Sequence, residues 1–222
     1  RFGSYQDILV HAAVALVFAM AVVARVYGLA DNPDGLLDAE AKLRGAASDV
    51  LNGRFIGLWS EAAGGQPAGF VYWLAGWSQL FGDSTAVLRL MSAWVGLATV
   101  GVFYLFCRSS FGERAAVLGS VLLALGLWHL SYSRLALPLG HLVLLEVVTV
   151  HFLLMALRET RSVSKQRRLL LLAGLSFGAA AYTHNAFLIF ALVVVLWWAR
   201  EFLAGEHPMG EVLRRSLIFF VP

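Results

Sequence analysis

An all-α fold, a polytopic bundle of transmembrane helices with an amphipathic helix in an extracytoplasmic loop, is predicted by three features of the 222-residue chain. Hydrophobic residues make up 59% of it and charged residues only 14%, against about 25% charged in soluble domains. The mean hydropathy is +0.74. The apolar runs are continuous, whereas a spanning β-barrel would alternate in polarity over segments of about 10 residues. At roughly 20 apolar residues per crossing, the sequence allows about six spans and leaves too little polar chain for a separate soluble domain. Residues 1–222 are therefore expected to form one transmembrane domain. A soluble enzyme, a disordered tail and a collagen-like fibre are excluded.

The net charge of +3 and a pI near 9.3 do not indicate a nucleic-acid partner. The basic residues sit mostly in short loops between apolar runs, where they set topology. Cys107 is the single cysteine, so neither a disulfide framework nor a cysteine metal site is available.

The first apolar run, Ile8 to Ala30, is too long for a signal-peptide core and lacks a small-residue cleavage pattern, so it is read as a retained span. Asp31 to Gln66 is the one long polar stretch, carrying Asp31, Asp34, Asp38, Glu40, Asp49 and Glu61 against Lys42, Arg44 and Arg54. Inside it, Asp38 to Asn52 places Leu43, Ala46, Ala47, Val50 and Leu51 at helical spacing, with Gly53 as a stop. That pattern predicts an amphipathic helix on the outer membrane surface. Pro67 to Phe81 is short for a crossing and rich in Trp and Tyr, which suits a re-entrant or interfacial helix. Residues 31–83 thus form a first extracytoplasmic loop with interfacial helices.

Spans are expected at Thr85 to Cys107, Ala115 to Tyr132 and Leu137 to Leu157. The next segment, RETRSVSKQRR (158–168), sets five basic residues against one acidic residue, which places it in the cytoplasm. Counting crossings back from it puts the acidic loop outside. Leu169 to Tyr182 and Ala186 to Leu203 are shorter helices broken at Thr183-His184-Asn185, which turns outside. A further apolar run begins at Leu217, and the chain stops inside it at Pro222, as a piece of a longer protein would.

Asp38 falls at or near the N-cap of the amphipathic helix, and Glu40 projects roughly 200° away around it. Asp38 is either a plain N-cap or a functional carboxylate; Glu40 is either a solvated partner of Arg44 at i,i+4 or part of the same site. Their place in the one polar loop, beside an aromatic helix at the bilayer surface, is where the head group of a lipid-linked substrate would arrive. Arg134, at the outer end of a span, either snorkels to the interface or offers its guanidinium fork to a lipid phosphate. His184, at the outer break, is a turn residue or a ligand. Glu146 lies mid-span and is expected to make a structural hydrogen bond inside the bundle. His141 and His151 are each five residues from it, which does not match a paired-ligand spacing. Arg25 and Arg89 lie near span ends, as anchors do.

The order of these features resembles the GT-C superfamily of polyprenyl-phosphate-dependent glycosyltransferases, in its protein-mannosyltransferase-like and RgtA-like bacterial members. The resemblance runs from about Ala24 to Arg200. It is carried by LLDAEAKLRGAASDVLNGRF after the first span, then QPAGFVYWLAGWSQLFGDSTAVLRLMSAWVG, LALGLWHLSYSRLAL and LAGLSFGAAAYTHNAF. It implies a multi-pass protein of the bacterial inner membrane that moves a sugar from a polyprenyl-phosphate donor to a lipid, glycan or protein acceptor, with inversion. The family's acidic loop motif matches Asp38-Ala39-Glu40, with one residue inserted between the carboxylates. It implies Asp38 as general base and Glu40 as a supporting or metal-contacting residue. Arg89 and Arg134 match family arginines, Arg134 as a donor-phosphate contact, and His184 stands where relatives often carry Lys or Tyr-type residues. A divalent cation is the one cofactor this chemistry would call on. The competing reading is a non-catalytic scaffold subunit of a larger membrane complex, favoured by the inserted residue and the early end of the chain. A transporter is weaker, because intramembrane charges are few and no matched broken helices appear.

Overall fold

The computed structural model describes residues 5–61, 64–204 and 209–221. Among them the chain forms helices α1 (Tyr5–Val26), α2 (Asp38–Leu51), α3 (Gly69–Phe81), α4 (Thr85–Phe111), α5 (Glu113–Leu125), α6 (Leu127–Tyr132), α7 (Pro138–Arg158), α8 (Val163–Ala181), α9 (Phe187–Ala204) and α10 (Met209–Phe220). A two-residue antiparallel pair, β1 (Trp59–Ser60) and β2 (Gln66–Pro67), pins the loop between α2 and α3, with Trp59 opposite Pro67.

At 1.5 Å per residue, α1, α4 and α7 reach about 33, 40 and 32 Å, enough to cross a hydrocarbon core of about 30 Å. All three are apolar enough to do so. Their outer surfaces stay apolar and uncovered: only 17% of the α1 window is buried inside the protein, and Trp94 of α4 is 60% exposed. Such faces are stable against lipid, not water. The chain is an integral membrane protein.

Each break has a local cause. Ser84 caps α4 by accepting the Val87 N–H at 3.4 Å, and Ser162 caps α8 by accepting that of Lys165 at 3.3 Å. Gly112, at φ 87°, turns α4 into α5, a conformation that costs glycine little. At Gly126, between α5 and α6, a Cβ would stand 2.7 Å from the Leu122 carbonyl oxygen, so a side chain there would clash. Pro138 opens α7 at a position where its missing N–H costs nothing.

The connections sort to two ends. At one, the Arg89 guanidinium reaches the carbonyls of Leu29 and Pro33, the Ala136 N–H meets Glu40, the Gly69 N–H meets the Tyr182 carbonyl at 3.1 Å, and the Asn185 N–H meets Gln66 Oε1 at 2.9 Å. At the other, Arg158 donates to the Ser109 carbonyl at 2.8 Å. The alternation read from the sequence places these loops at the same two ends. Between them α7 and α8 approach closely on small residues, with Thr149 and Ser176 hydroxyls 3.0 Å apart, as membrane helix interfaces require.

Several boundaries differ from the sequence reading. α8 starts at Val163, six residues before Leu169, because Ser162 supplies a cap and the basic residues after it tolerate a helix. α10 starts at Met209 and buries Val212, Arg215 and Phe219 on one face, so the apolar run at Leu217 is the end of an amphipathic helix. Asp38 is the first residue of α2, and the cap is Leu37. The Leu37 N–H is satisfied from behind by Glu40 Oε2 at 3.0 Å, half of a capping box. The expected stop holds: Gly53 adopts φ 81° and donates to Val50 O at 3.0 Å. Leu43, Ala46 and Ala47 of α2 pack on Phe70, Val71 and Leu74 of α3 and on Leu88 and Met91 of α4. α3 itself spans about 20 Å, too short to cross.

Candidate functional site

The two carboxylates of Asp38-Ala39-Glu40 part company on α2. Glu40 points inward and is fully buried, as is Arg89 of α4. Arg89 Nε donates to Glu40 Oε1 at 3.1 Å and Nη2 to Oε2 at 2.9 Å. The same carboxylate accepts the Ala136 N–H at 2.8 Å and the Leu37 N–H at 3.0 Å. The remaining guanidinium protons go to the carbonyls of Pro33 (2.7 Å), Leu29 (3.3 Å) and Gly35. Burial alone would raise the Glu40 pKa, but the hydrogen bonds from Arg89, Ala136 and Leu37 outweigh it and hold the carboxyl below the usual range. This is a latch joining α2, α4, the loop after α1 and the turn before α7. Expected as a substrate contact and a supporting or metal-contacting group, Arg89 and Glu40 have no free bonding site to offer one. The expected Glu40–Arg44 pair is absent, and Arg44 bonds Asp83 at 2.7 Å.

Asp38, two residues earlier, lies on the opposite side and lines a cavity of about 740 Å³. Lys42, one turn on, lines it too, together with Glu61, Tyr132 at the end of α6, and His184 in the turn between α8 and α9. Asp38 and His184, 146 positions apart in sequence, are thus brought to one recess. His184 Nδ1 accepts the Ala186 N–H at 3.0 Å, and burial lowers its pKa. The ring is therefore neutral with its proton on Nε2. Asn185 holds this turn against the loop through Gln66.

Arg134 does not line the cavity. Its Nη1 donates to Ala24 O at 2.7 Å, and its Nη2 to Gly28 O at 3.3 Å and Asn32 O at 3.1 Å. It ties the carbonyl end of α1, at Ala24, to the loop that follows it. Arg25 is also not an interfacial anchor: fully buried, it donates to Ala124 O at 3.0 Å and meets His129 Nδ1 at 2.8 Å. Glu146 has no hydrogen-bond partner among the described residues, contrary to the structural bond expected. Nor, among the described residues, do three His, Cys, Asp or Glu side chains gather to hold a metal ion. Glu40, expected as a supporting or metal-contacting group, is bonded to Arg89 instead.

Lys42, Glu61 and Tyr132 were not singled out from sequence. Lys42 had a signal, since it shares the Asp38 face at i,i+4; Glu61 and Tyr132 reach the cavity only through the fold.

A second cavity, about 380 Å³, borders the first end of the bundle and is lined mainly by apolar groups, among them Phe70, Trp73, Val95, Leu144 and Leu145.

Residues 65–222 match the family model of dolichyl-phosphate-mannose-protein mannosyltransferase. Among solved structures, ArnT from Cupriavidus metallidurans bound to undecaprenyl phosphate superposes with a TM-score of 0.66 at 19% identity, over 99% of this chain and 41% of ArnT. The oligosaccharyltransferase AglB from Archaeoglobus fulgidus, in complex with an inhibitory peptide and a dolichol-phosphate, gives a TM-score of 0.73 at 18% identity, over 98% of this chain and 29% of AglB. The chain thus spans well under half the length of either structure. No curated protein matches the sequence.

Proposed function

The chain belongs to the dolichyl-phosphate-mannose-protein mannosyltransferase family, and from that premise we propose that it forms the N-terminal catalytic part of a glycosyltransferase using a polyprenyl-phosphate sugar donor. The observation that carries the proposal is the recess of about 740 Å³ in which Asp38, Lys42 and His184 meet. Asp38 takes the proton of an acceptor hydroxyl as that oxygen bonds to the sugar C1. The bond from C1 to the phosphate oxygen breaks on the opposite face, inverting the centre, and the electron pair leaves with the polyprenyl phosphate. The Lys42 ammonium neutralises that phosphate, and neutral His184 orients the sugar by donating from Nε2. Lys42 takes the donor-phosphate role expected of Arg134, because Arg134 is bound to three carbonyls.

Two features support this assignment. Among the described basic residues near the recess, Arg44, Arg54, Arg89 and Arg134 all have carboxylate or carbonyl partners, whereas Lys42 has none. The apolar cavity by Phe70 and Trp73 offers the donor tail a place at bilayer depth. We place the recess on the extracytoplasmic side of the membrane, from the charge bias of the loops, and take that membrane to be a bacterial inner one from the resemblance to bacterial family members. The test is sugar transfer by the full-length protein from a polyprenyl-phosphate donor, comparing wild type with Asp38→Asn.

A further inference from the structure

A second charged recess, of about 310 Å³, lies at the opposite end of the molecule between the first turn of α8 and α10. Arg167, Arg214 and Arg215 line it, with Gln166 and Ile218, and among the described residues no acidic one does. Arg215 is 6% exposed. It bonds Glu211 through Nη2, while its buried Nε has no partner. Arg167 and Arg214 are exposed and have no carboxylate partner among the described residues. Among the described residues, the acids nearest in sequence, Glu159 and Glu211, are already paired with Lys165, at 2.7 Å, and with Arg215. The N-terminal end of α8 adds partial positive charge.

The depth of the recess is set by packing. α10 runs beside α8 so closely that a Cβ on Gly174 would stand 2.2 Å from the Phe219 carbonyl oxygen. Phe219 joins Leu170 and Ala173 in one apolar cluster, and Leu217 next to it is 64% exposed. The arginines therefore sit where charge gives way to apolar surface, at the level of lipid head groups. Basic recesses between helices at a cytoplasmic face suit anionic head groups, and guanidinium forks match phosphate oxygens.

We propose that this recess binds the phosphate of an anionic phospholipid, with Arg167 and Arg214 gripping the head group, Arg215 backing it, and the acyl chains lying along Ile218 and Leu217. A free phosphate ion shares the chemistry but would gain nothing from that apolar margin. The site is independent of the sugar-transfer reading.

The test uses full-length protein in neutral detergent, with bound lipid read by native mass spectrometry during titration with phosphatidylglycerol, phosphatidylcholine or inorganic phosphate. Each basic group near an anionic lipid contributes a factor of roughly five, so Arg167→Gln with Arg214→Gln should weaken phosphatidylglycerol binding about 30-fold. Both positions are exposed, and an unchanged melting temperature in lipid-free detergent checks the fold. Arg214→Gln alone, expected to weaken binding roughly fivefold, serves if the double variant fails that check. Equal binding of phosphatidylcholine, or undiminished binding by a folded variant, refutes the site. Displacement of the lipid by millimolar inorganic phosphate assigns the recess to a free anion and overturns the lipid.

Discussion

Removing Arg89 tests the latch that holds α2 beneath the recess. In Arg89→Met the Glu40 carboxylate stays fully buried but loses both guanidinium bonds, and the carbonyls of Leu29, Pro33 and Gly35 lose their donor. Taking one partner from a buried ion pair costs about 3–5 kcal/mol, whereas replacing both by neutral groups is close to neutral. For a chain of this size that is a fall of roughly 6–20 °C in apparent melting temperature. Glu40→Gln/Arg89→Met should recover much of it, because no charge remains buried. Arg89→Lys should recover little, since one ammonium has three protons for the several acceptors that Arg89 serves. Glu40 also sets a pH dependence. Its folded pKa lies below the usual glutamate value, so its contribution is complete above that usual value and is lost as pH falls through the depressed one. Glu40→Gln should lack that acid limb. The assay is thermal unfolding of the detergent-solubilised full-length protein from pH 7 down to 3. An Arg89→Met protein melting within about 1 °C of wild type would refute the latch.

The Lys42 assignment predicts that Lys42→Ala weakens binding of a polyprenyl-phosphate donor by roughly 10–150-fold, the value of a hydrogen bond to a charged group, while Lys42→Arg retains most of it; equal binding by Lys42→Ala removes Lys42 from the site. Because burial lowers the His184 pKa below the ordinary histidine value, the unfolded state takes up a proton first, and stability should rise with pH through that region. His184→Gln should flatten this slope relative to wild type, as unfolding curves between pH 5 and 8 would reveal. Topology predicts that a cysteine at Ser48, after Cys107→Ala, labels in intact cells with an impermeant reagent. A cysteine at Ser164 should label only after permeabilisation, and the reverse pattern would invert the protein.

The helices were legible in the sequence where the signal was local: continuous apolar runs, Gly53 as a stop, and the basic 158–168 segment. Boundaries slipped where polar residues were helix-compatible, as at Val163 and Met209. Of the candidate recess, only Asp38 was legible in the sequence. Asp38 announced itself by its place in the acidic loop, but the fate of Glu40 depended on Arg89, 49 residues away in sequence, and on the backbone N–H of Ala136. The three carbonyls that occupy Arg134 come from the last turn of α1, at Ala24, and from the loop after it, at Gly28 and Asn32, a convergence that no spacing encodes. Lys42 was readable from helical period alone; Glu61, Tyr132 and their convergence with His184 belong to tertiary structure.

The most direct measurement compares sugar transfer from polyprenyl-phosphate donors by full-length wild type and Asp38→Asn at equal membrane abundance. Asp38 is the first residue of α2 and its side chain is exposed, so Asn leaves the packing intact and removes only the group that accepts the proton. General-base catalysis contributes about 10²–10⁴-fold, and turnover should fall by that order with donor binding unchanged. Transfer by Asp38→Asn at the wild-type rate would contradict the base assignment, and no transfer by wild type across plausible donors would leave the fold as a scaffold.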